Sequence, residues 1–425
     1  MQSTNISENF DSLLLSRADG KLYFDGLDLE ELLRKIGTPS FIFSENQLLQ
    51  QYETLEKTFR SELSNHFEVA YSIKANPLHE IVKILIDKEI LFEVTSIGEM
   101  KLILELGGKP DKIVYTNIVK PIETINFALK VGIRYFAIDS QSDMKHIENA
   151  SKKLNRDAKV LIRLNPLVEL NKTIFSCSGR YSKIGIEIPE TFEQNSLLMS
   201  IISYCEKSPW LDLVGMHIHL GSQITNVALY QKGFRKVCNL ITHLLESKMN
   251  LEVLDIGGGF PVYYGGEKVP PISSFSRIIG SELKQPLKNL RIIAESGRYL
   301  TAPAGLLAVT VTTLKKDPRG TNIVCLDGSF YNTLPDIITA NWSYPIEKVY
   351  QRDCDSVLDY SFVGSTNDTL DQYLPRNNPN NRTISFRKLT EGDKVVFLQA
   401  GAYSLSFNST YCLERRPTVY FHRSK

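Results

Sequence analysis

Short apolar runs rich in β-branched residues recur along the first three hundred residues, at 67–72, 91–95, 112–116, 134–138, 159–164, 213–218, 251–255 and 291–295. Between them apolar residues fall at helical spacing, as from His79 to Asp87, Ile122 to Val131, Asp143 to Leu154 and Val227 to Ser247. Eight strands alternating with helices over roughly 230 residues predict an α/β fold of the (β/α)8, TIM-like barrel type, with an open doubly wound sheet as the alternative. The longest insertion, at about 165–190, follows the fifth strand and is expected over the barrel mouth.

The pattern differs on either side of this repeat. Leu27 to Ile36 reads as a helix stopped by Gly37-Thr38-Pro39, and Ser40 to Phe43 as a strand. Ser44 then caps a helix to about Ser61, with Gln47 completing a capping box. After Arg298, strand-like runs dominate: Val309 to Leu314, Asn322 to Leu326, Val357 to Val363, Thr383 to Phe386, Val395 to Leu398 and Val419 to His422. The Asn-rich run Asn377 to Asn381 reads as a surface turn. The expected organisation is an N-terminal segment 1–43 packing with the β domain, a barrel over 44–300, and a mostly β C-terminal domain over 301–425.

Composition narrows the function. The 425 residues are 42% hydrophobic and 23% charged, with net charge +1 and no long basic or acidic block. That pattern argues against a nucleic-acid or membrane partner and for a small-molecule substrate. Met1 to Leu15 lacks a basic start followed by an apolar core, and no apolar run is long enough to span a bilayer. The six cysteines contain no CxxC pair, so they read as reduced thiols of a cytoplasmic protein, not as a disulfide framework or a zinc site.

A barrel of this type keeps its chemistry on whatever follows the C-terminal end of each strand. Those positions hold Lys74, Glu93, Asn117, Asp139, Arg163 with Asn165, His219, the triplet Gly257-Gly258-Gly259, and Glu295 with Arg298. A lysine stripped of water there becomes a nucleophile able to form a Schiff base. Three glycines after a strand can turn backbone N–H groups onto a phosphate, though a flexible turn is as good a reading. His217 and His219, two apart, could bind zinc, but no third ligand is evident nearby, so no metal is expected. An imidazole can also stack on a flat ring, and Glu295 can face a pyridine nitrogen, unless it merely pairs with Arg298. Lysine, phosphate nest, stacking imidazole and acid together describe a pyridoxal 5'-phosphate site.

With those residues in place, the chain resembles the ornithine/diaminopimelate decarboxylase family, pyridoxal-phosphate enzymes of fold type III with an alanine-racemase-like barrel. The resemblance rests on AYSIKAN at Lys74, HIHLGSQ at His219, LDIGGGF at Gly257, ESGR at Glu295, Gly297 and Arg298, and GAYSLSF at Tyr403. It implies that Lys74 holds the cofactor covalently, that His219 stacks on its ring and that Glu295 pairs with its nitrogen. It further assigns Ser222, Gly258, Gly259, Arg298 and Tyr403 to the phosphate, with Arg163 beside the cofactor. An amino-acid substrate and a homodimer with shared active sites follow from the same resemblance.

Two motifs depart from the family pattern. In Gly364-Ser365-Thr366-Asn367-Asp368, Asn367 stands where the family has a cysteine, and Asp368 matches an acid that meets a distal amine. In Thr333-Leu334-Pro335, Leu334 replaces an expected arginine. The expected activity is decarboxylation of a basic or diamino acid such as ornithine, lysine or diaminopimelate. A regulatory homologue without turnover and an amino-acid racemase are the alternatives.

Overall fold

The computed structural model describes residues 13–63, 66–170, 175–193, 195–266, 268–352, 355–373 and 383–423. The chain forms two compact units, one of residues 53–261 and 269–299, the other of 1–52, 262–268 and 300–425.

In the first unit eight parallel strands close on themselves. They are β1 Phe67–Ser72, β2 Leu91–Val94, β3 Ile113–Tyr115, β4 Tyr135–Ile138, β5 Ala158–Asn165, β6 Leu211–Ile218, β7 Val253–Asp255 and β8 Arg291–Ser296. Each pairs with the next, β8 pairs with β1, and the ring is complete. Helices follow the strands as periodicity predicts, with His79–Asp87 and Ile122–Val131 at the expected bounds. Ser96 and Glu99 cap the helix Ile97–Glu105 reciprocally.

Ala70, Leu91, Val114, Tyr135, Leu161, Val214, Val253 and Ile293, one from each strand, form a buried apolar cluster. This is the packed interior of a barrel of this kind, not a pore. Side chains alternate along a strand, so two positions further on the same face carries Ser72, Glu93, Thr116, Arg163, Asp255 and Glu295. An apolar plug therefore carries a polar layer on its C-terminal side.

One irregularity decides which histidine joins that layer. The β5–β6 register shifts between Leu213 and Gly215, after which His217 lies opposite Arg163. A bulge adds one residue and reverses the phase of everything beyond it. Gly215 suits the position, because a Cβ there would lie 2.0 Å from the Val253 carbonyl oxygen.

The second unit is mostly β. Its sheet runs Ile346–Lys348, Lys394–Phe397, Gly305–Lys316, Asn322–Leu326, Val357–Val363 and Ile384–Arg387 in spatial order. Strand Ser40–Ser44 pairs antiparallel with 305–308 and parallel with Thr418–His422. Leu22, Phe24, Leu29, Leu33, Ile42, Leu306, Ala308 and Val396 share one buried core.

Several details differ from the pattern read in the sequence. Leu27–Asp28 is a short strand, and the helix begins at Leu29, with the Asp28 carboxylate accepting the Glu31 N–H at 3.0 Å. The hairpin Leu15–Ala18 with Lys21–Phe24 and the strand Ile346–Lys348 are too short to show periodicity. Asn377–Asn381 lies outside the described residues. Among the described residues no helix is long and apolar enough to cross a membrane.

Candidate active site

Lys74 sits in the 3-10 turn Ile73–Ala75 that ends β1. Its Nζ forms an ion pair with the Glu93 carboxylate of β2. The side chain of Glu93 is buried, that of Lys74 40% exposed, so the amine can be reached from outside while its counter-charge cannot. Burial opposes ionisation of Glu93, but the Lys74 ammonium and the hydroxyls of Thr116 and Ser72 outweigh it and hold the carboxyl below its usual range. Gly297 lets β8 approach this turn closely, since a Cβ there would lie 2.7 Å from the Ala75 Cβ.

His219 follows β6, and the Gly258 N–H donates to its Nδ1 at 3.1 Å. That bond leaves the proton of a neutral ring on Nε2. Burial pushes its pKa down to about 3, so the imidazole is neutral at ordinary pH. The glycine triplet is less open than its sequence suggests. Gly257 N–H donates to Asp255 Oδ1 at 2.9 Å and Gly258 N–H to His219. Among the described residues, only the Gly259 N–H of the three has no protein acceptor. Arg298 Nε, buried, donates to Ser222 Oγ at 3.3 Å, which brings a guanidinium and a hydroxyl together beside that loop.

Glu295 does not take Arg298 as its partner in the manner of a surface pair. Its Oε1 lies 3.3 Å from His217 Nε2, and Asp255 completes a buried group of three. The companions that His217 lacked in sequence thus come from two other strands, and His219 stands outside the group. Arg163 of β5, buried, donates to the Thr116 carbonyl at 3.1 Å and stands 3.9 Å from Asp139 Oδ2.

Other strand-end residues serve the framework. Asn165 accepts from the N–H groups of Leu167 and Gly179 and donates to the Gly179 carbonyl. Asn117 donates to Thr95 O, and Asp139 accepts from Gly185 N–H. The described part of the long insertion meets the exit of β6, with Ser176 bridged to Gly221 and Cys177 N–H donating to Leu220 O.

Lys120 is a fully buried ammonium that the sequence did not single out. It donates to Asp143 Oδ2 at 2.6 Å and Ala137 O at 2.7 Å. Lys120→Met should destabilise the fold by about 3–5 kcal/mol, because the buried Asp143 carboxyl loses its counter-charge. Adding Asp143→Leu should recover most of that loss; chemical denaturation of both variants checks it.

Tyr403 and Asp368 belong to the β unit. Tyr403 has φ 57° and stacks on Phe407 at 5.9 Å between ring centroids. Asp368 accepts the Leu370 N–H at 2.6 Å and the Tyr411 hydroxyl at 3.0 Å. That hydroxyl bond raises the Tyr411 phenol to about 12, so it remains a donor. Tyr411 also packs on Tyr331, which packs on Phe330, at 4.2 and 4.0 Å between centroids.

The residues of the barrel rim fit a phosphorylated pyridine. A flat neutral imidazole, a buried Glu295 carboxylate, a Gly259 amide with no protein acceptor among the described residues and an arginine–serine pair match a ring, its nitrogen and a phosphate. Comparison with known proteins agrees. Residues 46–302 match the family described as "Pyridoxal-dependent decarboxylase, pyridoxal binding domain". The chain is 28% identical to diaminopimelate decarboxylase of Aquifex aeolicus, over 95% of its own length and 90% of the relative's. It is also 28% identical to that of Staphylococcus aureus, over 95% and 93%. The crystal structure of M. jannaschii diaminopimelate decarboxylase in complex with L-lysine superposes with TM-score 0.85 at 26% identity, covering 96% of this chain and 92% of that one. The chain belongs to the pyridoxal-dependent decarboxylase family. It is a lyase with a barrel and a β domain, and its cofactor is pyridoxal 5'-phosphate.

Proposed function

We propose that this chain removes the α-carboxylate of a diamino acid, using Lys74 as the residue that carries pyridoxal phosphate. The pairing of an accessible Lys74 amine with a buried Glu93 carboxylate at the exit of β1 is the observation that carries the reading. The diamino substrate rests on the named activities of the relatives and on the L-lysine bound by the M. jannaschii enzyme.

Bound pyridoxal phosphate supplies an electrophilic carbon and a ring that withdraws electrons from the substrate's Cα as CO2 departs. Lys74 Nζ would carry the cofactor's carbon, and the buried Glu93 carboxylate would orient that nitrogen and balance its charge. Once released by the substrate's amine, Lys74 would rest as an ammonium against the same carboxylate. His219, neutral, stacks on the ring without placing a second positive charge beside it. Glu295 faces the ring nitrogen and keeps it protonated. Ser222, Arg298 and the amides of Gly258 and Gly259 meet the phosphate, of which the Gly259 amide is the one without a competing acceptor. Gly257 shapes the turn and Gly297 lets β8 pack on the Lys74 turn. Arg163 stands beside the cofactor.

From the β unit we assign Tyr403 to the phosphate and Asp368 to the substrate's distal ammonium, on the family motifs. A cytoplasmic homodimer is part of the same reading. The test is CO2 release from a panel of L and D ornithine, lysine, arginine and diaminopimelate, with leucine and glutamate as controls. CO2 from at least one diamino acid and none from the controls is expected. Silence across the diamino acids, or racemised substrate without CO2, would sink the proposal.

A further inference from the structure

Three barrel strands end in a polar cluster that the function above uses only in part. His217 on β6 and Asp255 on β7 are register partners, and Asp255 in turn pairs with Ile293, two residues before Glu295 on β8. All three side chains are buried, and one donor or acceptor atom from each lies within 4.8 Å of the others. Asp255 Oδ1 accepts the Gly257 N–H, which fixes that carboxyl. The remaining atoms are unsatisfied: His217 Nδ1 and Nε2, Asp255 Oδ2 and Glu295 Oε1 are buried without a well-formed hydrogen bond among the described residues.

Buried polar atoms are nearly always bonded, so four orphans in one small volume call for an explanation. Shared protons supply it. Burial and then the charge of Glu295 push Asp255 well above the ordinary carboxyl range, so it is held as the neutral acid. The Asp255 acid proton and the His217 ring N–H are then the donors within reach of Glu295.

We propose that His217 is a positioning residue for decarboxylation, donating from Nε2 to Glu295 Oε1, with Asp255 behind it, so that Glu295 presents a fixed carboxylate to the cofactor's ring nitrogen. The proposal rests on Glu295 meeting that nitrogen. The bulge at Gly215 is what brings His217 into the cluster, so the glycine serves the chemistry through the register.

The test compares equilibrium binding of pyridoxal phosphate with that of its 1-deaza analogue, in which a carbon replaces the ring nitrogen. Wild type, His217→Asn and His217→Gln are titrated as full chains freed of cofactor. Glutamine can place an amide donor near Nε2, whereas asparagine reaches only the Nδ1 position. His217→Asn should weaken pyridoxal phosphate about tenfold and leave the analogue unchanged, as expected for a lost hydrogen bond to a charged group. His217→Gln should return to within about threefold of wild type. Equal losses for both ligands would show a packing role and overturn the proposal, as would no loss for either. Stoichiometric metal in the purified holoenzyme would also overturn it, since the cluster would then be a cation site. A wild type that binds both ligands equally would fault the Glu295 assignment itself, and one that binds neither would remove both readings.

Discussion

Lys74→Ala should lower kcat for CO2 release by about 10³-fold or more, and the visible absorbance of the lysine-bound cofactor should vanish. Losing the amine removes both a covalent anchor and a proton-carrying group, and a positioned acid–base group alone contributes ~10²–10⁴-fold. The substitution also leaves Glu93 buried beneath the rim without its ammonium, so some loss of stability accompanies it. Thermal denaturation separates the two effects, because a folded variant without turnover isolates the chemistry. Activity within tenfold of wild type would remove Lys74 from the mechanism.

Glu295→Gln is the second large effect. An amide can bond a ring nitrogen but cannot hold it protonated, so the ring loses its pull on the electrons of Cα. The expected fall in kcat is about 10²–10³-fold, the range for losing one preorganised electrostatic partner. Cofactor should still attach to Lys74, since that bond is made at the other end of the site. Steady-state kinetics with cofactor absorbance recorded on the same samples checks both statements. A fall in kcat together with loss of the lysine-bound band would place the role of Glu295 in folding or retention.

Much of this site can be read from the chain before any coordinates. The eight apolar runs lie within a few residues of the observed strands, because a strand buried on both faces is an uninterrupted apolar stretch. Lys74, His219, Glu295 and Arg298 stand out as polar residues that break such runs at their C-terminal ends. Glu93 and Asp255 carry the same signal, an acid inside an apolar run, and the structure gives both a partner. What the sequence hides is register. That His217 meets Glu295 depends on an extra residue at Gly215, and no local pattern reports a bulge. The glycine triplet shows the same limit, since its first two amides are taken by Asp255 and His219. Ile186–Glu187, a two-residue strand added beside β5, and the hairpin at 15–24 are set by partners distant in sequence.

The β unit is the other place where local reading stops. Asn367 is exposed, and its neighbour Asp368 is tied to Tyr411, forty-three residues away in sequence. A tyrosine preceding Cys412 carries no sequence signal for that bond. The aromatic run Phe330, Tyr331 and Tyr411 is likewise assembled by the fold.

The most direct measurement is reduction of the pyridoxal-phosphate-loaded protein with borohydride, followed by proteolysis and mass spectrometry of the labelled peptide. The phosphopyridoxyl group should be found on Lys74, in the peptide containing Ser72-Ile73-Lys74-Ala75. A label on another lysine, or none after loading, would contradict the account.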